Sequence, residues 1–200
     1  MFIDKFMFWV ADRFLDIGYK KGFVNDDTKS DIDYQFRGIL WNIFATILMF
    51  AIGLILGTFK EMVIITLCFN VCRLNGSWHS FANLTYCALE SSILLGFFSW
   101  LSITYTFPLI YLQILSLLSI GYVCAKTPYV NIGFEEYPND PWQKKFDFLI
   151  LSLSFFILTF YLPQTMSNAI CFSLILLFPY VNSYCIYCNE WLRDKIFKKK

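Results

Sequence analysis

The sequence predicts an all-α integral membrane protein: about six transmembrane helices, the second of them short, behind an N-terminal amphipathic interfacial helix. Three observations carry this. The chain is 58% hydrophobic, 20% aromatic and only 16% charged, with mean hydropathy +0.55. Soluble domains hold about 25% charged residues, and a soluble fold of this length could not enclose so much apolar surface. The apolar residues come in long runs without strand-type alternation, which in a membrane means helices. Finally, six crossings with both termini inside place fifteen of the sixteen Lys and Arg residues on one side, leaving only Lys60 outside.

The elements follow in order. Residues 1–23 read as a surface helix, with Phe2, Ile3, Phe6, Val10, Phe14 and Ile17 at helical spacing and Lys5, Asp12, Asp16 and Lys20 opposite. Asp4, Asp12, Arg13 and Asp16 interrupt its apolar character, and no small-residue cleavage site follows, so a removable signal peptide is not expected. The polar stretch Asn25 to Arg37 reads as a surface linker. Apolar segments then lie at about 38–58, 62–72, 81–103, 106–124, 146–163 and 166–188. The second is short for a crossing, which takes ~20 residues. It is counted as one because both basic ends, 1–37 and Arg193 to Lys200, prefer the cytoplasm and require an even number of spans. The loop from Ala125 to Lys145, with Pro128, Gly133, Pro138 and Pro141, reads as irregular.

The length suits a single domain over 1–200: interfacial helix and linker (1–37), transmembrane region (38–188) and a basic cytoplasmic tail (189–200). Net charge is +1, so no overall field points to nucleic acid. Seven cysteines, mostly within apolar runs, read as small hydrophobes and not as a disulfide framework.

Chemistry concentrates at one polar break, Asn70 to Ser80, in this apolar chain. It holds His79, the only histidine, and Cys87 follows eight residues later. A thiol needs a neighbouring base to become a thiolate at neutral pH, and histidine suits that role. At a membrane surface the pair suggests a cysteine peptidase or acyltransferase centre. The plainer alternative is a capping histidine beside an inert, packed cysteine. If a helix starts near Ser80, Asn83 and Cys87 share a face, and Asn83 becomes a candidate to orient the imidazole or hold an oxyanion. Glu90 lies one turn further on, at a depth where a carboxyl is costly unless paired or facing a cavity, and Arg73 is its candidate partner.

Arg73, Gly76-Ser77, the aromatic Trp78, His79, Cys87 and Ser91 together resemble the signature of the accessory gene regulator B family. These are bacterial membrane cysteine endopeptidases of peptide quorum sensing. The likeness extends to chain length, surface helix, short second span and the basic, Pro-containing loop after the fourth span. Two departures stand out: Ser77 replaces a second glycine, and His79 precedes Cys87 by eight residues where the family usually has seven. On one unbroken helix eight residues set the pair ~80° apart, so a loop position for His79 or a π-bulge would be needed to align them.

The resemblance implies that Cys87 is the nucleophile and His79 the base, with Asn83, Glu90 and Ser91 in orienting or oxyanion roles. The partner it implies is a small precursor peptide, cut on its C-terminal side through a thioester and released as a thiolactone or lactone. Arg73, Lys126, Lys144 and Lys145 would receive the peptide's acidic part, although setting topology explains the lysines equally well. The implied setting is the bacterial cytoplasmic membrane, multi-pass, with the bilayer and a possible second copy as further partners and no cofactor.

Cys68, Cys72, His79 and Cys87 are poorly specific as a metal set, and packing is the preferred reading. Cys185 and Cys188 form a Cys-x-x-Cys without the βαβ context of a redox motif. The rival functions are a small transporter or exporter, and a catalytically impaired relative that only binds its peptide.

Overall fold

A computed structural model describes residues 2–21, 29–76, 84–126 and 141–181. These form α1 (Phe2–Lys20), α2 (Lys29–Ile55), α3 (Phe59–Gly76), α4 (Leu84–Thr104), α5 (Leu109–Lys126), α6 (Pro141–Leu158) and α7 (Gln164–Val181), with no strand among the described residues. The contacts divide the chain into two units, residues 1–48 with 81–92 and residues 49–80 with 93–200. The helices α2 and α4 each contribute to both.

Three boundaries correct the sequence reading. The expected linker Asn25 to Arg37 is helical from Lys29 onward. Polarity does not forbid a helix, and Asp31 and Asp33 suit the positive end of the helix dipole. At 27 residues α2 extends about 40 Å, more than the ~30 Å hydrocarbon thickness, so a polar first third is natural. The short second segment is an 18-residue helix, Phe59–Gly76, because the polar residues flanking 62–72 continue it at both ends. Lys144 and Lys145, expected in an irregular loop, lie on α6, which starts at Pro141, a residue well suited to the first helical position.

In the first unit α1 carries three stripes where the sequence suggested two. Phe6, Trp9, Phe14 and Ile17 are exposed, as are Lys5, Asp12 and Asp16. Ala11 and Leu15 are buried and make a packing stripe that a two-faced wheel does not reveal. The Phe14 ring meets Phe36 of α2 at 5.3 Å, and Arg13 lies over the Trp9 ring at 5.9 Å.

In the second unit three tight turns set the topology. Between α2 and α3, Gly57 takes φ 69°, the only positive φ among the described residues, and Thr58 N donates to Gly53 O at 2.8 Å. The Thr58 hydroxyl pairs with Ser99 of α4 at 2.9 Å. The α4–α5 turn meets the start of α7, where Gln164 Nε2 donates to Phe107 O at 3.0 Å. The α6–α7 turn is closed by Ser167 Oγ donating to Thr159 O at 2.9 Å. All three turns therefore lie at one end of this unit, and successive helices alternate in direction.

The spine of this unit is α7: every residue from Ser167 to Leu174 is buried, and α3, α5 and α6 all pack on it. Close approach is visible at Gly96, where an added Cβ would stand 2.7 Å from Ile52 Cγ2. Buried hydroxyls mostly donate to a carbonyl one turn back, as Ser152 does to Phe148 O at 2.7 Å, and so are satisfied within their own helix.

The polarity of α5 is partly inverted relative to a water-soluble helix: its buried face mixes polar residues with Leu112, Ile120 and Val123, and a broad apolar face is exposed. Ile110, Tyr111, Ile114, Leu115, Leu117 and Leu118 are exposed, while Gln113, Ser116 and Ser119 are buried. Among the described residues, α5 is the one helix long and apolar enough to cross a membrane by length and composition. Asn42–Ile55, Ala88–Thr104 and Gln164–Pro179 are shorter apolar helical stretches.

Candidate active site

Periodicity alone brings part of the site together. Cys87, Glu90 and Ser91 lie on α4 at spacings of three and four, so they share one face. Ser91 is buried, and Glu90 is half-buried with its Oε2 shielded from solvent. Ser92, on the adjoining face, is also buried and donates to Ala88 O at 2.6 Å, which fastens the turn that follows Cys87. The Cys87 side chain, His79 and Asn83 lie outside the described residues, as do the departures at Ser77 and in the His79–Cys87 spacing.

The basic residues divide similarly. Arg73 is on α3, three residues before Gly76, and Lys144 is on α6, with both side chains outside the description. Lys126 is the last residue of α5 and is exposed. Lys145 is half-buried, its Nζ 5.4 Å from the centre of the exposed Trp142 ring. That contact holds an ammonium beside an indole face near the start of α6.

Of the other cysteines, Cys68, Cys72 and Cys171 are buried, Cys124 is half-buried, and Cys185 and Cys188 lie outside the described residues. The sequence reading passed over Gln113, Thr159 and Asn168, which are polar residues buried in the second unit. Gln113 Nε2 donates to Thr159 Oγ1 at 3.0 Å. The signal was available for Gln113, an amide within the apolar run of α5.

The model of one protein family, Accessory gene regulator B, matches residues 12–181. The chain belongs to that family. The matched range takes in the whole Arg73–Ser91 segment and all the described helices from α2 to α7. Comparison with curated proteins and with solved structures gives no match.

Proposed function

We propose that this protein is a multi-pass membrane cysteine endopeptidase that matures a small quorum-sensing precursor peptide and cyclises it. The observation that carries the reading is the family match across the Cys/His segment. Membrane embedding draws independent support from the partly inverted polarity of α5, because so wide an exposed apolar face would be an aggregation liability in water. In this reading both termini face the cytoplasm.

His79 takes the thiol proton of Cys87, and the thiolate attacks the scissile carbonyl. The C–S bond forms and the C–N bond breaks, with His79 returning the proton to the leaving amine. A thiol or hydroxyl within the bound peptide then attacks the thioester. Its proton passes through His79 to the Cys87 sulfur as that sulfur departs, and the macrocycle is released. Excluding water at this stage prevents hydrolysis of the acyl-enzyme. Asn83, Glu90 and Ser91 orient the imidazole or stabilise the oxyanion, while Arg73, Lys126, Lys144 and Lys145 hold the acidic part of the precursor.

Co-expression with the precursor tests the nucleophile. Cys87→Ala should abolish release of the C-terminal fragment on a blot without preventing membrane insertion, and Cys72→Ala should leave release intact. Full processing by the Cys87→Ala protein sinks the assignment.

A further inference from the structure

Helix length limits where the turn-bearing end of the second unit can lie. The helices α3, α5, α6 and α7 have 18 residues each, about 27 Å of rise, against a hydrocarbon layer of ~30 Å. At the end opposite the turns, Lys126 closes α5 and is exposed, and Lys145 stands against the Trp142 ring near the start of α6. Ammonium groups and an indole in such places mark the headgroup level. Measured from there, the helices are used up in crossing, and the turns reach the opposite boundary without passing far beyond it.

The side chains at that end have the composition of this boundary. Residues 48–62, 98–112 and 155–169 hold only two charged groups, Lys60 and Glu61, side by side at the start of α3. In place of the charges of a water-facing loop, Ile55 (83%), Leu56, Trp100, Tyr105, Phe160 and Tyr161 (81%) are exposed. Tyr and Trp concentrate at the headgroup level, where an apolar ring meets a wet edge.

Backbone bonding agrees. In the α2–α3 turn the N–H groups of Leu56, Gly57 and Thr58 donate to the carbonyls of Ile52, Leu54 and Gly53. In the α6–α7 turn those of Thr159, Phe160, Tyr161 and Leu162 donate to Phe156, Ile157 and, for the last two, Leu158. Pro163 follows without an N–H, as does Pro108 in the α4–α5 turn. Turns built this way ask little of water as a partner for their donors. The first N–H groups of α3, α5 and α7, which a helix cannot bond within itself, still require polar partners and keep the turns out of the acyl core.

We propose that this end is a lipid-binding surface: Ile55, Leu56, Phe160 and Tyr161 insert at the boundary between acyl chains and headgroups, and none of the three turns stands in the aqueous phase. The proposal rests on the membrane reading above, in which this leaflet is the outer one. Lipid is favoured over a protein partner by continuity. The exposed apolar flank of α5, through Ile110, Ile114 and Leu118, runs directly into the turns, so one solvent covers both.

Collision measurements on spin labels, with the full-length protein in bilayers and its native cysteines replaced, test the surface. Labels on Ile55→Cys and Tyr161→Cys should meet oxygen several-fold more often than a water-soluble nickel complex, as should a label on Leu118→Cys. Nickel prevailing at the first two positions but not at the third places the turns in water, which overturns the proposal and leaves the membrane reading intact. Nickel prevailing at all three removes both. A label at Ile55→Cys or Tyr161→Cys reached by neither agent is covered by protein, and overturns lipid as the occupant. The unsubstituted protein supplies a second reading by solid-state NMR. Polarisation from lipid acyl protons should reach the Ile55 methyl groups faster than polarisation from water, and the reverse order overturns the proposal.

Discussion

Replacing Gly53 and Gly121 by alanine asks the same chemical question at two positions with opposite surroundings. Each change gains about 0.8–1.0 kcal/mol of intrinsic helix preference, so propensity alone makes both variants more stable. At Gly121 an added Cβ meets nothing within 4 Å, and that gain stands. At Gly53 the Cβ would lie 2.8 Å from Met62 Cβ and 3.0 Å from Met62 Cγ. Met62 is fully buried, and its Cβ is fixed to the α3 backbone, so the overlap can be relieved only by prising α3 from α2. Overpacking of this kind costs typically ~1–3 kcal/mol. The two variants should therefore differ by about 2 kcal/mol, or roughly 4–8 °C in Tm for a chain of this size. Thermal unfolding in detergent, followed by helical circular dichroism, measures the difference. Equal shifts of the same sign would refute the close α2–α3 hairpin, and with it the reading that the second apolar segment folds straight back on the first.

Three further outcomes follow from the exposed and catalytic groups. Leu118→Lys, on the exposed face of α5, should impair insertion of that segment by ~2.5–3.5 kcal/mol in a translocon assay, whereas a helix facing water would accept the lysine without loss. A precursor whose ring-forming residue is replaced by alanine should accumulate as a hydroxylamine-labile conjugate on Cys87. His79→Gln should prevent it, and the same conjugate in that variant removes His79 as the activating base. With the native cysteines replaced, a cysteine at Gln143 should label with an impermeant reagent only after the membrane is opened; labelling of intact cells refutes the six-crossing layout.

Hydropathy made the helices legible and their ends less so. Apolar runs located α2 to α7, but the start of α2 and the ends of α3 are rich in polar residues and still helical, since a helix can leave the apolar layer without stopping. The stripe of Ala11 and Leu15 was missed because a two-faced wheel allows one apolar side, and Phe6, Val10, Phe14 and Ile17 had already defined it. For the site, spacing sufficed for Cys87, Glu90 and Ser91, which one helix aligns. It did not suffice for Gln113 and Thr159, which lie 46 residues apart and meet only through the packing of the second unit.

That packing also bears on the exporter alternative. A polar interior in a membrane protein is commonly read as a path, and the second unit buries many hydroxyls. Yet Ser99, Ser102, Ser116, Ser152 and Ser173 each donate to a carbonyl three or four residues back in their own helix. Such groups present little unmet polarity to a passing solute, and their small size lets backbones approach closely. Their partner α7 is enclosed on every side from Ser167 to Leu174, as befits a packed spine and not the wall of an aqueous passage. Polarity buried in this way is cheap because it is satisfied locally, within the helix that carries it.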